Sequence, residues 1–338
     1  MARPATRLLL LAVLAAAVLA PRATTQAAPA PKHFLWALGA SPVDPDRGEN
    51  LEWRGGAAGE GAIGVERTPA VYVVFWGRRW AHGFRIPDGE RTYSSAALQR
   101  YVRAFLGAVG GSAWAGIQTQ YCAQTRPGST SCAGGSGFVT NPPHQLKGVW
   151  TDPRPVPANV LALGLAPHVA NDPIAAEARR AAAHFGHDPQ ATYLLLAPPG
   201  ARPPRGPVWC GYHSQADAGD GTRVQYAFVP WLNQDWPGLG RKGCGAHTVD
   251  RASDAFGHGV FDGYSIVLGH EYAEAVVDPD NFDNVQDGWN DGTSTENGDK
   301  CAWHGLRAVR FGGRRFAVQP LWSNEAYDAT GNGCVFSR

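Results

Sequence analysis

Hydrophobic positions along this chain recur with two periods, and each period predicts an element. From Ala70 the run Ala-Val-Tyr-Val-Val-Phe-Trp76 is β-branched and aromatic without a polar break, the composition of a buried strand. Leu98, Tyr101, Val102, Phe105, Leu106 and Val109 recur at threes and fours behind Ser94 and Ser95, either of which can cap a helix, and Gly110-Gly111 ends it. A second helix opens at Asn171-Asp172-Pro173, where the aspartate can cap and the proline fits the first turn, and runs through Ala175 to Phe185 before Gly186. Thr192 to Ala197 and Arg223 to Pro230 read as further strands, with short strands around Arg307 to Phe311 and Phe316 to Leu321.

The amino terminus follows another pattern. Arg3 and Arg7 precede an uninterrupted apolar run from Leu8 to Ala20, and small residues follow at Ala27, Ala28 and Ala30. That is the layout of a secretory signal peptide over residues 1–28, and its apolar run is shorter than the roughly 20 residues a bilayer requires. Pro21 disfavours cleavage after Ala20, whereas Ala27 or Ala28 is unobstructed. Residues 29–68 are rich in Gly, Ala, Pro and Glu without a sustained period, and read as an irregular arm or a short propeptide ahead of a single domain over 69–338.

The stretch Ser265-Ile-Val-Leu-Gly-His270-Glu271-Tyr-Ala-Glu274-Ala-Val-Val-Asp278-Pro279 places one imidazole and two carboxylates inside an apolar helical run. Burying an unpaired ionised side chain costs several kcal/mol, so these groups need a shared partner, and a divalent metal is the simplest one. The alternative is a metal-free hydrogen-bonded or solvated face, but the flanking positions offer almost no polar residues for one. Residues four apart share a helix face, so His270 and Glu274 can reach one ion while Glu271 points alongside it. In an H-E-x-x-H helix the outer pair binds zinc and the inner glutamate is a general base. Here Glu274 replaces the second histidine.

This run resembles the active-site helix of thermolysin-like zinc peptidases over about thirteen residues. The resemblance implies His270 and Glu296 as ligands, Glu271 as base, and Asp299 as an outer carboxylate or competing ligand, with Glu274 as the departure. A looser resemblance covers more of the chain: the Val71-Tyr-Val-Val-Phe-Trp-Gly77 strand, the Cys210-Gly-Tyr-His213 segment and the helix ending in Asp278-Pro279 look like the exported phosphate-induced or EXORDIUM-like proteins. That resemblance implies a role in cell-wall growth signalling without established catalysis.

Composition narrows the choice. A net charge of +1, with 17% charged residues, supplies no field to recruit nucleic acid or an anionic membrane, and nothing after the leader is long and apolar enough to insert. Six cysteines, all beyond the leader, favour disulfides in an exported chain. Sequence leaves all the connectivities open, although pairing neighbours (122 with 132, 210 with 244, 301 with 334) closes the shortest loops. With 42 glycines and 26 prolines, the expected fold is a loop-rich, disulfide-stapled mixed α/β (α+β) domain with a central sheet, and the resemblance to thermolysin-like peptidases implies that it is zincin-like with a buried active-site helix.

Asp278, Asp280, Asp283, Asp287 and Asp291 read as a solvated acidic loop or a calcium site without EF-hand spacing. His213, His247, His258 and His304 are further candidate ligands or donors to a developing oxyanion, though a lone histidine is more often a packing or surface residue. His213 stands out because Cys210 would pin its loop. No G-x-S-x-G elbow points to a serine nucleophile. The expectation is therefore a secreted, zinc-dependent endopeptidase acting on peptide or protein substrates, with Glu271 and His213 catalytic and His270, Glu274, Glu296 and Asp299 around the metal. Its competitor is a secreted, non-catalytic wall-associated or signalling protein in which the same residues hold a structural ion.

Overall fold

Seven consecutive residues without a charge, Ala70–Trp76, form the second strand of a six-stranded sheet. The structure, a computed structural model, describes residues 34–40, 47–56, 61–161, 172–200, 208–236, 238–279, 288–291, 293 and 295–338. The expected leader at 1–28 lies outside them. The sheet strands are β1 (Phe34–Trp36), β2 (Ala70–Trp76), β3 (Leu146–Asp152), β4 (Ala191–Leu196), β5 (Trp209–Asp217) and β6 (Arg223–Val229). They lie in the order β1-β5-β6-β4-β2-β3. β6, β4, β2 and β3 run parallel to one another, and β5, antiparallel to β6, and β1, antiparallel to β5, add an antiparallel edge.

Helices cover both faces, and the strand period sorts side chains between them. Val71, Val73 and Phe75 join one core with α1 (Ser95–Val109) and α3 (Asp262–Val277), whereas Ala70, Val74 and Trp76 join another with α2 (Pro173–Phe185). This double cover explains why β2 and β4 read as unbroken apolar runs. Ser94 caps α1 by accepting from Ala97 N, and Asp172 caps α2 by accepting from Ile174 N with Pro173 in the first turn. A hairpin of β7 (Arg307–Phe311) and β8 (Arg314–Val318) closes over α1 and α3. Phe105 of α1, fully buried against Phe311 and Phe316 of that hairpin, ties the two together; truncating such a side chain to Ala costs about 3–5 kcal/mol.

The arm expected to be irregular contributes β1 and a second strand, Glu52–Gly55, which pairs with Gly288–Asn290. Strands of three or four residues are too short to carry a readable alternation, so only pairing with distant segments defines them. The disulfides are Cys122–Cys132, Cys210–Cys244 and Cys301–Cys334, with Cα separations of 6.1, 5.5 and 5.7 Å. Among the described residues no helix is long and apolar enough to cross a membrane.

All sixteen residues of α3 are buried, between β5 and β6 on one side and β8 and α1 on the other. A helix wrapped all round must find partners for its polar side chains inside the protein. Ser265 Oγ donates to Ala317 O (2.7 Å), and Gln118 Nε2 donates to Ala273 O (2.8 Å). Asp262, in the first turn, accepts from the Gly259 and Asp250 amides (2.8 and 2.9 Å).

Candidate metal centre

Three elements converge on the buried stretch of α3. The helix supplies His270, Glu271 and Glu274; β5, packed across it, supplies His213; and the turn after the short strand at 288–290 supplies Glu296 and Asp299. His270 Nε2 stands 2.9 Å from Glu274 Oε1 and 3.6 Å from Asp299 Oδ1. His213 Nδ1 stands 3.4 Å from Glu274 Oε2 and 3.7 Å from Glu271 Oε2, and its Nε2 lies 3.2 Å from Glu296 Oε1.

Each imidazole is oriented from its far side. His213 Nε2 donates to the Asp278 carbonyl (3.1 Å), and His270 Nδ1 donates to Gln319 Oε1 (3.3 Å), whose own amide donates to Gly298 O (2.7 Å). With those protons committed, the neutral rings would carry their lone pairs on His213 Nδ1 and His270 Nε2, the nitrogens nearest Glu274. This is how ligand histidines are set by an outer acceptor. The 296–301 turn is itself anchored by Trp322 N donating to Asn297 O (2.9 Å), by the buried Lys300–Asp291 ion pair (3.0 Å), and by Cys301–Cys334.

Two glycines make room. A Cβ on Gly211, two residues before His213 on β5, would lie 2.4 Å from Glu271 Oε1, and one on Gly298 would lie 2.7 Å from Glu274 Oε1. Any side chain there would fill the space the carboxylates occupy.

Inside this pocket His213 Nδ1, His270 Nε2, Glu274 Oε1 and both oxygens of Glu271 are buried without a hydrogen bond. His270 Nε2 and Glu274 Oε1 lie 2.9 Å apart without hydrogen-bonding geometry. Burial pushes the Glu271 carboxyl up to about 7, whereas for Glu274 burial is outweighed by His270 and His213, which hold it at about 2. Burial works to lower both histidines, but Glu274 lifts His270 to about 10, and the Glu296 charge takes His213 well above its ordinary value. Burial and the neighbouring Glu274 charge raise Asp299 well above the usual carboxylate range. Without a cation the cluster must therefore store protons to stay near neutrality.

The donors suit a divalent ion. Nitrogen and oxygen ligands about 2.0–2.1 Å from a tetrahedral ion stand about 3.3 Å from one another, and the contacts of His213 Nδ1 and His270 Nε2 with Glu274 and Asp299 bracket that separation. Two groups have the compactness needed to hold an ion: His213 with Glu274 and Glu296, and His270 with Glu271 and Glu274. Side chains of five of the six residues are at most 2% exposed, and only Asp299, at 19%, meets solvent. Solvent access to the cluster is on the Asp299 side.

All six residues singled out from sequence thus meet in one place, with His213 facing the same carboxylates as the helix. The other candidate histidines lie elsewhere: His247 pairs with Asp88 (2.9 Å), His258 sits between Asp254 and the Arg315 carbonyl, and His304 is exposed. Of the acidic loop, Asp278 accepts from Asn290 Nδ2 (2.9 Å) and Asp291 is engaged by Lys300, Thr293 and Thr295; Asp280, Asp283 and Asp287 lie outside the described residues. Sequence reading missed Gln319, Gly211 and Gly298. Gly211 and Gly298 sit beside residues already flagged, but nothing local marks Gln319, whose role depends on the packing of its segment against α3. No family model, curated protein or solved structure matches this chain. The functional reading rests on the geometry of the cluster.

Proposed function

We propose that the protein is a secreted, zinc-dependent endopeptidase. The observation that carries this reading is the Glu271 carboxylate, buried and without a hydrogen bond on either oxygen, beside imidazole nitrogens whose lone pairs face the same pocket. A purely structural polar cluster would be expected to pair such an acid. His213 adds a second imidazole to the cluster in which Glu274 has replaced one on the helix, and nitrogen donors favour zinc over harder ions.

A bound zinc ion would supply Lewis acidity, bringing the pKa of a water in its shell towards about 7. The chain's own residues do the rest. Glu271 accepts the proton as the water oxygen bonds to the peptide carbonyl carbon, then delivers it to the amide nitrogen as the C–N bond breaks, leaving a carboxylic acid and an amine. His270 and Glu274 would hold the ion beside Glu271, with His213 and Glu296 meeting Glu274 from its other side, and Gln319 and the Asp278 carbonyl keep the imidazoles in the tautomers that ligation requires. The substrate carbonyl would enter on the Asp299 side.

The test is casein hydrolysis paired with elemental analysis. Wild type is expected to cleave casein and to lose activity to a chelator; Glu271→Gln is expected to keep its metal and fold while losing cleavage. Full activity in Glu271→Gln, or in metal-stripped protein, refutes the mechanism. The near-complete burial of five of the six groups favours one competing reading, a non-catalytic exported wall or signalling protein with a structural ion. That reading predicts that metal raises thermal stability without any cleavage.

A further inference from the structure

The two ion-sized donor groups share a single residue, Glu274, and neither contains both histidines. A lone ion bound by both imidazoles would need their nitrogens within one such group, as donors around one tetrahedral centre stand about 3.3 Å apart. Instead the imidazoles face opposite oxygens of the same carboxylate: His270 Nε2 lies 2.9 Å from Oε1 and His213 Nδ1 lies 3.4 Å from Oε2. Glu296 completes the His213 group and Glu271 the His270 group, with Asp299 Oδ1 standing 3.6 Å from His270 Nε2.

We propose that this cluster binds two divalent ions bridged by the Glu274 carboxylate, one held with His213 and Glu296 and the other with His270 and Asp299. Both imidazole nitrogens and Glu274 Oε1 are buried and lack hydrogen bonds, so the two sites are lined by polar atoms that point into them. Glu271 belongs to the His270 group and also lies 3.7 Å from His213 Nδ1. A base serving a water shared between two ions has to sit within reach of both.

This inference deepens the metal-dependent reading, but it is tested by stoichiometry, so either can fail while the other stands. Purified protein is stripped with a chelator, titrated with zinc by calorimetry, and its metal content counted by elemental analysis. Two ions per chain are expected for wild type, one each for His213→Ala and His270→Ala, and a hundredfold or greater loss of affinity for both ions in Glu274→Ala. One ion per wild-type chain, abolished by either histidine substitution, overturns the proposal. Should the variants not fold, wild type loaded with two equivalents of manganese decides the matter: an exchange-coupled resonance signal is expected, and an isolated-ion signal at every loading overturns it.

Discussion

The backbone of Gly211 lies against the carboxylate of Glu271 so closely that a methyl group at position 211 would fall 2.4 Å from Oε1 and 2.9 Å from Val267 Cγ1. Strand and helix are therefore matched at the one residue assigned to proton transfer. Gly211→Ala is expected to shift that carboxylate and to cost about 1–3 kcal/mol by overpacking. Casein cleavage should fall at least tenfold while the zinc content stays at the wild-type count; unchanged cleavage would remove Glu271 placement from the account.

Gln319 holds His270 through Nδ1 and is held in turn by Gly298 O. Gln319→Leu keeps the volume and removes the acceptor. Zinc affinity is expected to drop about 10–100-fold, as for other outer partners of ligand histidines. Competition against a chromophoric chelator measures it, and Gln319→Glu, which retains an acceptor, is expected to recover most of the loss.

The Cys210–Cys244 disulfide closes a separation of 34 residues and pins the strand that carries Gly211 and His213. Replacing both cysteines by serine should destabilise the fold by about 3–4 kcal/mol through the unfolded chain's regained freedom. Urea unfolding of the metal-free protein reads this loss without contribution from the ion.

Metal removal should lower stability by a concentration-dependent amount, because an ion that binds only the folded cluster stabilises it by mass action. At free zinc about a hundredfold above Kd the gain is about 2.7 kcal/mol. Melting temperatures with and without chelator check this, and an unchanged Tm would mean that the six groups hold no ion.

Glu177 gives the fold a pH dependence remote from the centre. Burial raises its carboxyl to about 7 from the ordinary 4.5, although Arg180 bonds it at 2.9 Å and works to lower it. Between those values the folded chain keeps a proton that the unfolded chain releases, so unfolding is favoured progressively as pH rises from 4.5 to 7. The loss is at most about 3 kcal/mol at 1.36 kcal/mol per unit. Glu177→Gln, which does not titrate, should flatten that decline in urea midpoints measured from pH 4.5 to 8.

What the sequence determined by itself was local. The bounds of α1 and α2 were legible because their caps, Ser94 and Asp172, act within one helical turn. The face shared by His270 and Glu274 was legible because four-residue spacing is a property of any helix. The neighbour pairing of cysteines coincided with the cheapest loop closures. Tertiary structure decided the rest. That His213 turns its Nδ1 to Glu274, that Glu296 lies on the His213 side, and that Gln319 orients His270 all depend on how β5, the 296–301 turn and the segment after β8 pack on α3. Such contacts join positions far apart in the chain, and their geometry comes from sheet order and close packing, which no local period encodes.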